Sequence, residues 1–312
     1  MRRSTPFIQF KQFSGINNQK DPLELSASDL TKATNVDIDD TRYLERRGGS
    51  GLELSGNYRD IDPEGSGLVI KDDTNLHALM LDSGQLSSVL VKPGLTPGAR
   101  AVYQNVNGIV NYFTNAHEIG FVGPDLEWHD LPEVDAGVSS PAVAESMRQT
   151  RMKMPPGHLM DFYNGRLYTA SDHIYFSDSM ALHRCHNEQG FFMTAGSPTL
   201  LKSVADGIWF ADGNIWFASG ADIMDSTKIK KANYDAILGA ATIVQGSHLG
   251  IPGITGDCVV FWTTHGCCLG CAGGQFINLT ENGYIAPDQY ASGTSMYRHR
   301  PGISQVVTIM NN

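Results

Sequence analysis

The stretch Leu201–Gly220, LKSVADGIWFADGNIWFASG, decides how this chain is read. Two near-identical runs, Gly207-Ile208-Trp209-Phe210-Ala211 and Asn214-Ile215-Trp216-Phe217-Ala218, flank Asp212-Gly213. Alternating bulky residues suit the two faces of a strand, and Asp-Gly supplies the positive φ of a tight type I′ turn. The run is therefore expected to be a β-hairpin. A second copy lies upstream: Asn164-Gly165, then Arg166-Leu167-Tyr168-Thr169-Ala170, Ser171-Asp172, and His173-Ile174-Tyr175-Phe176-Ser177. The module recurs, and the rest of the chain reads as further copies of it.

Working outward, Gly67–Ile70, Leu76–Leu81 and Gln85–Val91 form one candidate module around the turns Asp72–Asn75 and Ser83-Gly84. Ala101–Tyr103, Ile109–Phe113 and Glu118–Val122 form another around Asn107-Gly108, and Cys258–Trp262 begins the last full one, which runs through Gln275–Leu279. Pro132–Pro156 breaks the rhythm as a long loop or as a short helix around Ala142–Thr150. Lead strands near Val69, Val102, Leu159, Ser203 and Val259 recur at intervals that bracket the roughly 40–50 residues of a propeller blade. The expected fold is all-β: a β-propeller of five or six antiparallel blades, with a two-sheet sandwich pair as the competing architecture. The hairpin Val36–Arg46 and the C-terminal strand Ile303–Ile309 are expected to share the closing blade of a domain spanning 34–312. Residues 1–33 read as an arm lying on the body or on a neighbouring subunit, with a partly disordered terminus as the alternative.

Composition sets the outer limits. A chain of 312 residues with 41% hydrophobic content can bury a sizeable core, and 33 glycines and 14 prolines suit many turns. A net charge of -10 argues against a nucleic-acid-coating surface, because phosphate contacts need clustered Lys and Arg. Met1-Arg2-Arg3 is followed by no apolar core of a signal peptide, and no run reaches transmembrane length. Five cysteines, three of them at Cys267, Cys268 and Cys271, do not resemble a secreted disulfide framework, so assembly in a reducing cytoplasm is expected.

Both ends of the chain resemble a known group. Gly15-Ile16-Asn17-Asn18, Pro22, Ala33–Asp39 and Leu44-Glu45-Arg46-Arg47-Gly48-Gly49 look like the start of a family of tailed-bacteriophage virion proteins. Thr263–Gly266, Leu269-Gly270, Gly273–Thr280 and Tyr284-Ile285-Ala286-Pro287 resemble that family's final blade. Its members are similar in plan to the nozzle or hub proteins of short-tailed phages. The resemblance implies a β-propeller subunit of a ring, commonly a hexamer, at the end of the portal channel. Portal, adaptor or tail proteins would be its neighbours, and DNA would pass without specific binding. This chain is short for a nozzle protein, so a tail-tip or head-to-tail accessory of a long-tailed phage stays open.

Other chemistries are weighed against that reading. His265, Cys267, Cys268 and Cys271, with Cys258 nearby in sequence and His183, Cys185 and His186 elsewhere, offer zinc-type ligands, but no second paired motif completes a tetrahedron and Cys267 alternates with Leu269 as a core residue would. Asp37, Asp39 and Asp40 lack the glycine and distal glutamate of a calcium loop. Asp161, Asp172, Asp206 and Asp257 lie near strand starts or turns and would have to converge at an axis mouth to cleave or hold a glycan; turn aspartates are expected anyway. Trp209, Trp216, Tyr168, Tyr175, Phe176, Phe210 and Phe217 read as core between blades before they read as a stacking platform. Arg42, Arg46 and Arg47, Lys228, Lys230 and Lys231, and Arg298, His299 and Arg300 are short basic groups, suited to inter-subunit ion pairs or solvated edges. No nucleophile elbow, P-loop or dinucleotide fingerprint is present. The expectation is a non-enzymatic virion tail component with no catalytic residue, cofactor or metal, and a glycan-binding or glycan-cleaving propeller in host-receptor recognition is the alternative.

Overall fold

The computed structural model describes residues 13–34, 36–38, 42–47, 54–62, 67–281, 283–285, 290–300 and 303–311. Residues 1–12 of the arm, the Asp39-Asp40 turn, Gly48-Gly49 and Ala286-Pro287 lie outside them. The chain is a β-propeller of five four-stranded antiparallel blades, each laid down in chain order. Blade 1 comprises Tyr58–Arg59, Leu68–Lys71, Asn75–Asp82 and Gln85–Lys92; blade 2 comprises Val102–Val106, Val110–Thr114, Ile119–Val122 and Trp128–Asp130. Blade 3 is built from Leu159–Tyr163, Arg166–Ala170, Ile174–Phe176 and Phe191–Phe192, and blade 4 from Leu200–Val204, Gly207–Ala211, Ile215–Ser219 and Thr227–Ala232. Blade 5 holds Ala236–Gln245, Asp257–Thr263, Gly266–Cys271 and Phe276–Asn278. A C-terminal hairpin, Ser292–Arg300 with Ile303–Asn311, joins its first strand in parallel at Leu238↔Ser292.

The hairpin of blade 4 shows why the fold holds. All five residues of Gly207–Ala211 are buried, because a central blade strand is covered on both faces. Alternation sends Ile208 and Phe210 into a core shared with Tyr168, Ile174 and Phe176 of blade 3. Trp209 and Ala211 go the other way, to Val259, Phe261 and Cys268 of blade 5. The same logic joins blades 1 and 2 through Leu68, Ile70, Tyr103 and Phe113, and blades 2 and 3 through Tyr112, Phe121, Met160 and Leu167. The aromatic pattern thus belongs to the inter-blade cores, with Trp216 and Tyr175 at their margins.

The turns follow their residues. Asn164 and Gly165 take φ 47° and 77° between Tyr163↔Arg166, the type I′ geometry. Asp212-Gly213 differs from the expected two-residue turn. Ala211 pairs with Ile215, leaving a three-residue loop in which Gly213 alone has positive φ. The Asp212 carboxylate is used instead as an acceptor for Ala195 N at 2.9 Å and Trp216 Nε1 at 2.8 Å.

First strands begin at Val102, Leu159 and Leu200 in blades 2 to 4, and pack on one another around the axis. In blades 1 and 5 the strands at Val69 and Val259 are second. The first are the two-residue Tyr58–Arg59 and Ala236–Gln245, AILGAATIVQ, whose small residues carry little hydrophobic alternation and whose pairing shifts register between Ala236 and Ala241.

Beyond blade 5, Val244, Val260 and Leu269 pack against Tyr297 and Val306 of the C-terminal hairpin. The hairpin Val36–Ile38/Leu44–Arg46 pairs with itself, and Asp37 receives Arg298 of the C-terminal hairpin at 3.2 Å and Arg47 at 2.7 Å. The described part of the arm pairs Gly15–Ile16 in parallel with Asp29–Leu30 and lies along the loop after blade 5. There Asn18 N donates to Gly283 O at 2.9 Å and Asn18 Nδ2 to Ile285 O at 2.9 Å.

The irregular stretch before blade 3 contains the helix Pro141–Thr150, started by a proline in its first turn, where the missing N–H costs nothing. It leads into Arg151–Lys153, paired with Arg184–His186. Arg151 and Arg184 share Asp178, at 2.8 and 3.2 Å. Asp178→Ala leaves both part-buried guanidiniums without that acceptor and is expected to cost about 1–3 kcal/mol, measured as a lowered urea midpoint; Asp178→Asn should cost less.

Candidate functional site

The parallel first strands of a propeller bring their side chains to one axis, where space is too narrow for a row of large residues. This chain places polar ones there: Gln104, Asp161 and Thr242 of first strands and Ser295 of the C-terminal hairpin are all buried. Two spaces lie along the axis. Toward the strand starts the cavity is only about 70 Å³, bordered by Asp60, Arg100, Tyr103, Met160, Leu201 and Ser295. Toward the strand ends it opens to about 620 Å³, lined by Gln104, Asp161, Tyr163, Ser203, Asp257 and Tyr297 among others.

Arg100 closes the narrow end. It leaves the segment before blade 2 and reaches across to blade 5, donating from Nη1 to Leu238 O at 3.0 Å and from Nη2 to Gly239 O at 3.1 Å. Burial pulls this guanidinium below its ordinary value, while the Asp60 carboxylate acts in the opposite direction. Gly239 is required beneath it. With φ at +70°, a Cβ there would stand 1.4 Å from Arg100 Nη1. Among the described residues no apolar cluster joins blade 5 to blades 1 or 2, so this charged bridge takes the place of a hydrophobic seam. Nothing in the sequence pointed to Arg100, which follows a Pro-Gly-Ala turn like any surface cation.

At the wide mouth, Asp161 Oδ2 accepts the amide of Ser203 and so ties blade 3 to blade 4. Gln104 donates to Asn105 O at 3.1 Å, and its Oε1 is buried with no hydrogen-bond partner. Of the four aspartates expected to converge, Asp161 and Asp257 line this mouth. Asp206 borders the neighbouring space with Asn164 and Ser219, and accepts Gly273 N at 2.8 Å. Asp172 sits in the outer turn of blade 3, where the Ser171 hydroxyl at 2.9 Å, with the Tyr175 hydroxyl and a backbone amide, holds its carboxyl below the usual carboxylate range against a smaller opposing effect of burial. Asp161, Asp172 and Asp206 thus accept structural hydrogen bonds, the ordinary work of aspartate at turns for Asp172 and Asp206 and, for Asp161 in mid-strand, a tie between blades.

The cysteine-rich strand does not assemble a ligand shell. Cys267 faces the core shared with the C-terminal hairpin, and Cys268 faces blade 4. Adjacent residues of a strand point to opposite faces, so the two sulfurs are separated by the sheet. His265 stacks on Tyr234 with centroids 4.1 Å apart, and Cys185 lies in the core between blades 2 and 3. Among the described residues no three of His, Cys, Asp and Glu stand close enough to hold a metal ion.

Burial pushes the thiols of Cys185 and Cys267 up to about 12 and that of Cys268 to about 11, from an ordinary 9.0. The folded chain therefore keeps these protons after the unfolded chain has lost them. Stability from this source is complete below pH 9 and is lost as pH rises toward 11–12. The thermal midpoint is expected to fall steeply above pH 9, and less so in a Cys268→Ala variant.

The basic groups are surface features. Lys228 lies over Phe192 at 4.4 Å and Lys230 over Trp216 at 5.8 Å, while Arg42 and Arg46 are exposed.

No family model matches the chain, and no curated protein matches it. Solved structures do match in fold. An auxiliary nutrient binding protein from Bacteroides thetaiotaomicron is 10% identical, with 73% of this chain and 57% of that one covered and a TM-score of 0.43. The extracellular domain of a hybrid two-component system from B. thetaiotaomicron is also 10% identical, over 83% of this chain and 35% of that one, with a TM-score of 0.44. The Pan2 WD40 domain of Neurospora crassa is 9% identical over 70% and 76%, with a TM-score of 0.39. This chain thus spans well under two thirds of the two Bacteroides proteins, and the likeness is one of fold alone.

Proposed function

We propose that this chain is a structural, non-enzymatic subunit of a tailed-phage virion that assembles side to side into a ring of the tail or head-to-tail conduit. The observation that carries the reading is an uncovered apolar row on the outer hairpin of blade 1. On one face of it Leu81 is 74% exposed and Leu90 51%, with Leu79 and Leu86 half-buried between them, while Met80 and Val89 are exposed on the opposite face. Such rows, built into well-ordered strands, mark surfaces that are covered in an assembly. The occupant proposed is a second copy of this chain, in a head-to-tail contact of the kind that closes rings. The order expected from the sequence resemblance is six.

The axis refines what such a ring would do. Arg100 closes the narrow end of the propeller's own axis, so a DNA conduit would be the lumen between subunits. The net charge of -10 suits passage without adhesion. Portal, adaptor or other tail proteins would meet the two faces of the ring.

Sedimentation of the purified chain over a range of concentrations tests this reading, with imaging of virions labelled at the C-terminus. A closed oligomer, or label at one level of the tail, supports it. Leu81→Asp with Leu90→Asp should shift the oligomer to monomer without lowering the thermal midpoint. A monomer at every concentration that never labels virions overturns it. The second reading, glycan recognition, draws on Tyr163, Tyr297, Gln104 and Asp257 at the wide axial mouth. Saturable binding on a glycan array, abolished by Tyr297→Ala, would favour it.

A further inference from the structure

Blade 5 carries a pair of thiols away from the axial site. Cys258 lies near the start of the strand Asp257–Thr263 and Cys271 ends the strand Gly266–Cys271, and the antiparallel register sets them directly opposite each other. Opposed residues of an antiparallel pair have Cα atoms about 4.5 or 5.5 Å apart, and both spacings fall inside the roughly 4.4–6.8 Å window of a disulfide. The two Sγ atoms stand 2.7 Å apart, closer than unbonded sulfurs rest and a short displacement from the ~2.0 Å of a disulfide bond. No other thiol in the chain is so placed. Cys267 is opposed by Trp262 and Cys268 by Phe261, while Cys185 belongs to a different sheet.

We infer that Cys258 and Cys271 form a specific cross-strand disulfide when the chain folds, or its strand ends open, in the presence of a disulfide oxidant such as oxidised glutathione. One cysteine gives its proton to solvent and its thiolate attacks a glutathione sulfur, expelling one glutathione thiolate, which is then protonated. The second cysteine, deprotonated in turn, attacks the protein sulfur of the mixed disulfide and expels the other glutathione. Two electrons pass from the protein thiols to the glutathione disulfide, and two reduced glutathiones leave.

The place of the bond gives it a consequence. The Cys271 carbonyl accepts Trp209 Nε1 at 3.2 Å, and in the turn that follows Gly273 N donates to Asp206 at 2.8 Å. Both contacts belong to the joint between blades 4 and 5. Linking Cys271 to Cys258 fixes the strand end from which they are made, so oxidation would tighten that joint. Cys258 is 1% exposed and Cys271 4%. Reaction therefore runs through an opened strand end or during folding, and the closed, reduced pair is protected. The inference rests on the blade geometry and does not depend on the virion reading.

The test is refolding of the full chain from a reduced, guanidinium-unfolded state in glutathione buffers of graded oxidised-to-reduced ratio. Free thiols are then blocked under unfolding conditions and the chain is mapped by chymotryptic digestion without reductant. In oxidising buffers the expected product has three blocked thiols of the five and one 258–271 link. It should melt several degrees above the reduced form, and reductant should reverse the difference. Cys268→Ser should keep the link, whereas Cys258→Ser should lose both the link and the melting difference. Five blocked thiols in folded chain at every ratio would overturn the inference, as would a link made through Cys185, Cys267 or Cys268.

Discussion

Replacing Trp209 by alanine should destabilise the chain by about 3–5 kcal/mol, the range for emptying a fully buried aromatic site. Trp209 is 0% exposed and is the largest buried side chain. Its ring lies 5.0 Å from that of Phe217 within its own blade and 6.5 Å from that of Phe261 in blade 5. The indole N–H is satisfied by Cys271 O at 3.2 Å, so truncation also strands that carbonyl. The cavity cannot collapse easily, because it is walled by paired backbone of two blades. Gly270 supplies an independent check from the other side of the contact. A Cβ there would meet Trp209 Cε2 at 2.6 Å, so Gly270→Ala overpacks what Trp209→Ala empties. Urea unfolding of the two single variants and the double variant should show strong non-additivity, with Gly270→Ala costing far less once the indole is gone. Equal costs in both backgrounds would mean that Trp209 and Gly270 do not pack against each other.

The second large effect is expected at the axis. Gly239→Ala places a methyl group where the Arg100 guanidinium lies, and does so in the left-handed backbone region. The strain is about 1–2 kcal/mol, and displacement of a charged donor from its carbonyls adds about 1.5–3 kcal/mol. The total should approach the effect of Trp209→Ala, although only one methyl is added. Arg100→Ala should cost about 2 kcal/mol by leaving the Leu238 and Gly239 carbonyls without their donor. In the Arg100→Ala background, Gly239→Ala should cost the backbone strain alone. A cycle showing full additivity would remove Arg100 from its role as the closing bridge.

These two contacts differ in how far the sequence announces them. Ile208-Trp209-Phe210 declares a strand with two apolar faces, and that is enough to foresee burial on both sides between neighbouring blades. Asn164-Gly165 likewise states its turn, since both residues tolerate positive φ. Arg100 and Gly239 announce nothing, because 139 residues separate Arg100 from the Gly239 carbonyl it holds. The strand Ala236–Gln245 is silent in the sequence for a related reason. Small residues at a crowded axis are selected by lack of space, and lack of space leaves no hydrophobic period to read. The aspartates show the converse. All four read as lying near strand starts or turns, but only the blade geometry brings Asp161 and Asp257 to one mouth and sends Asp172 and Asp206 elsewhere. The cysteine cluster offers zinc-type ligands in sequence but reads first as core, and strand alternation sends Cys267 and Cys268 to different cores. Cys258 and Cys271, 13 positions apart, are the two that meet.

By itself, then, the sequence determined the class of the fold and the character of its repeating unit, because period-two alternation and turn chemistry act over a few residues and need no partner to be recognised. It also determined that the large aromatics are core. The tertiary structure decided which strand of each blade lines the axis, what closes the ring of blades, and which thiols face each other. Those outcomes depend on register and on the curvature of five sheets about one line, and neither is stored in any local stretch of the chain.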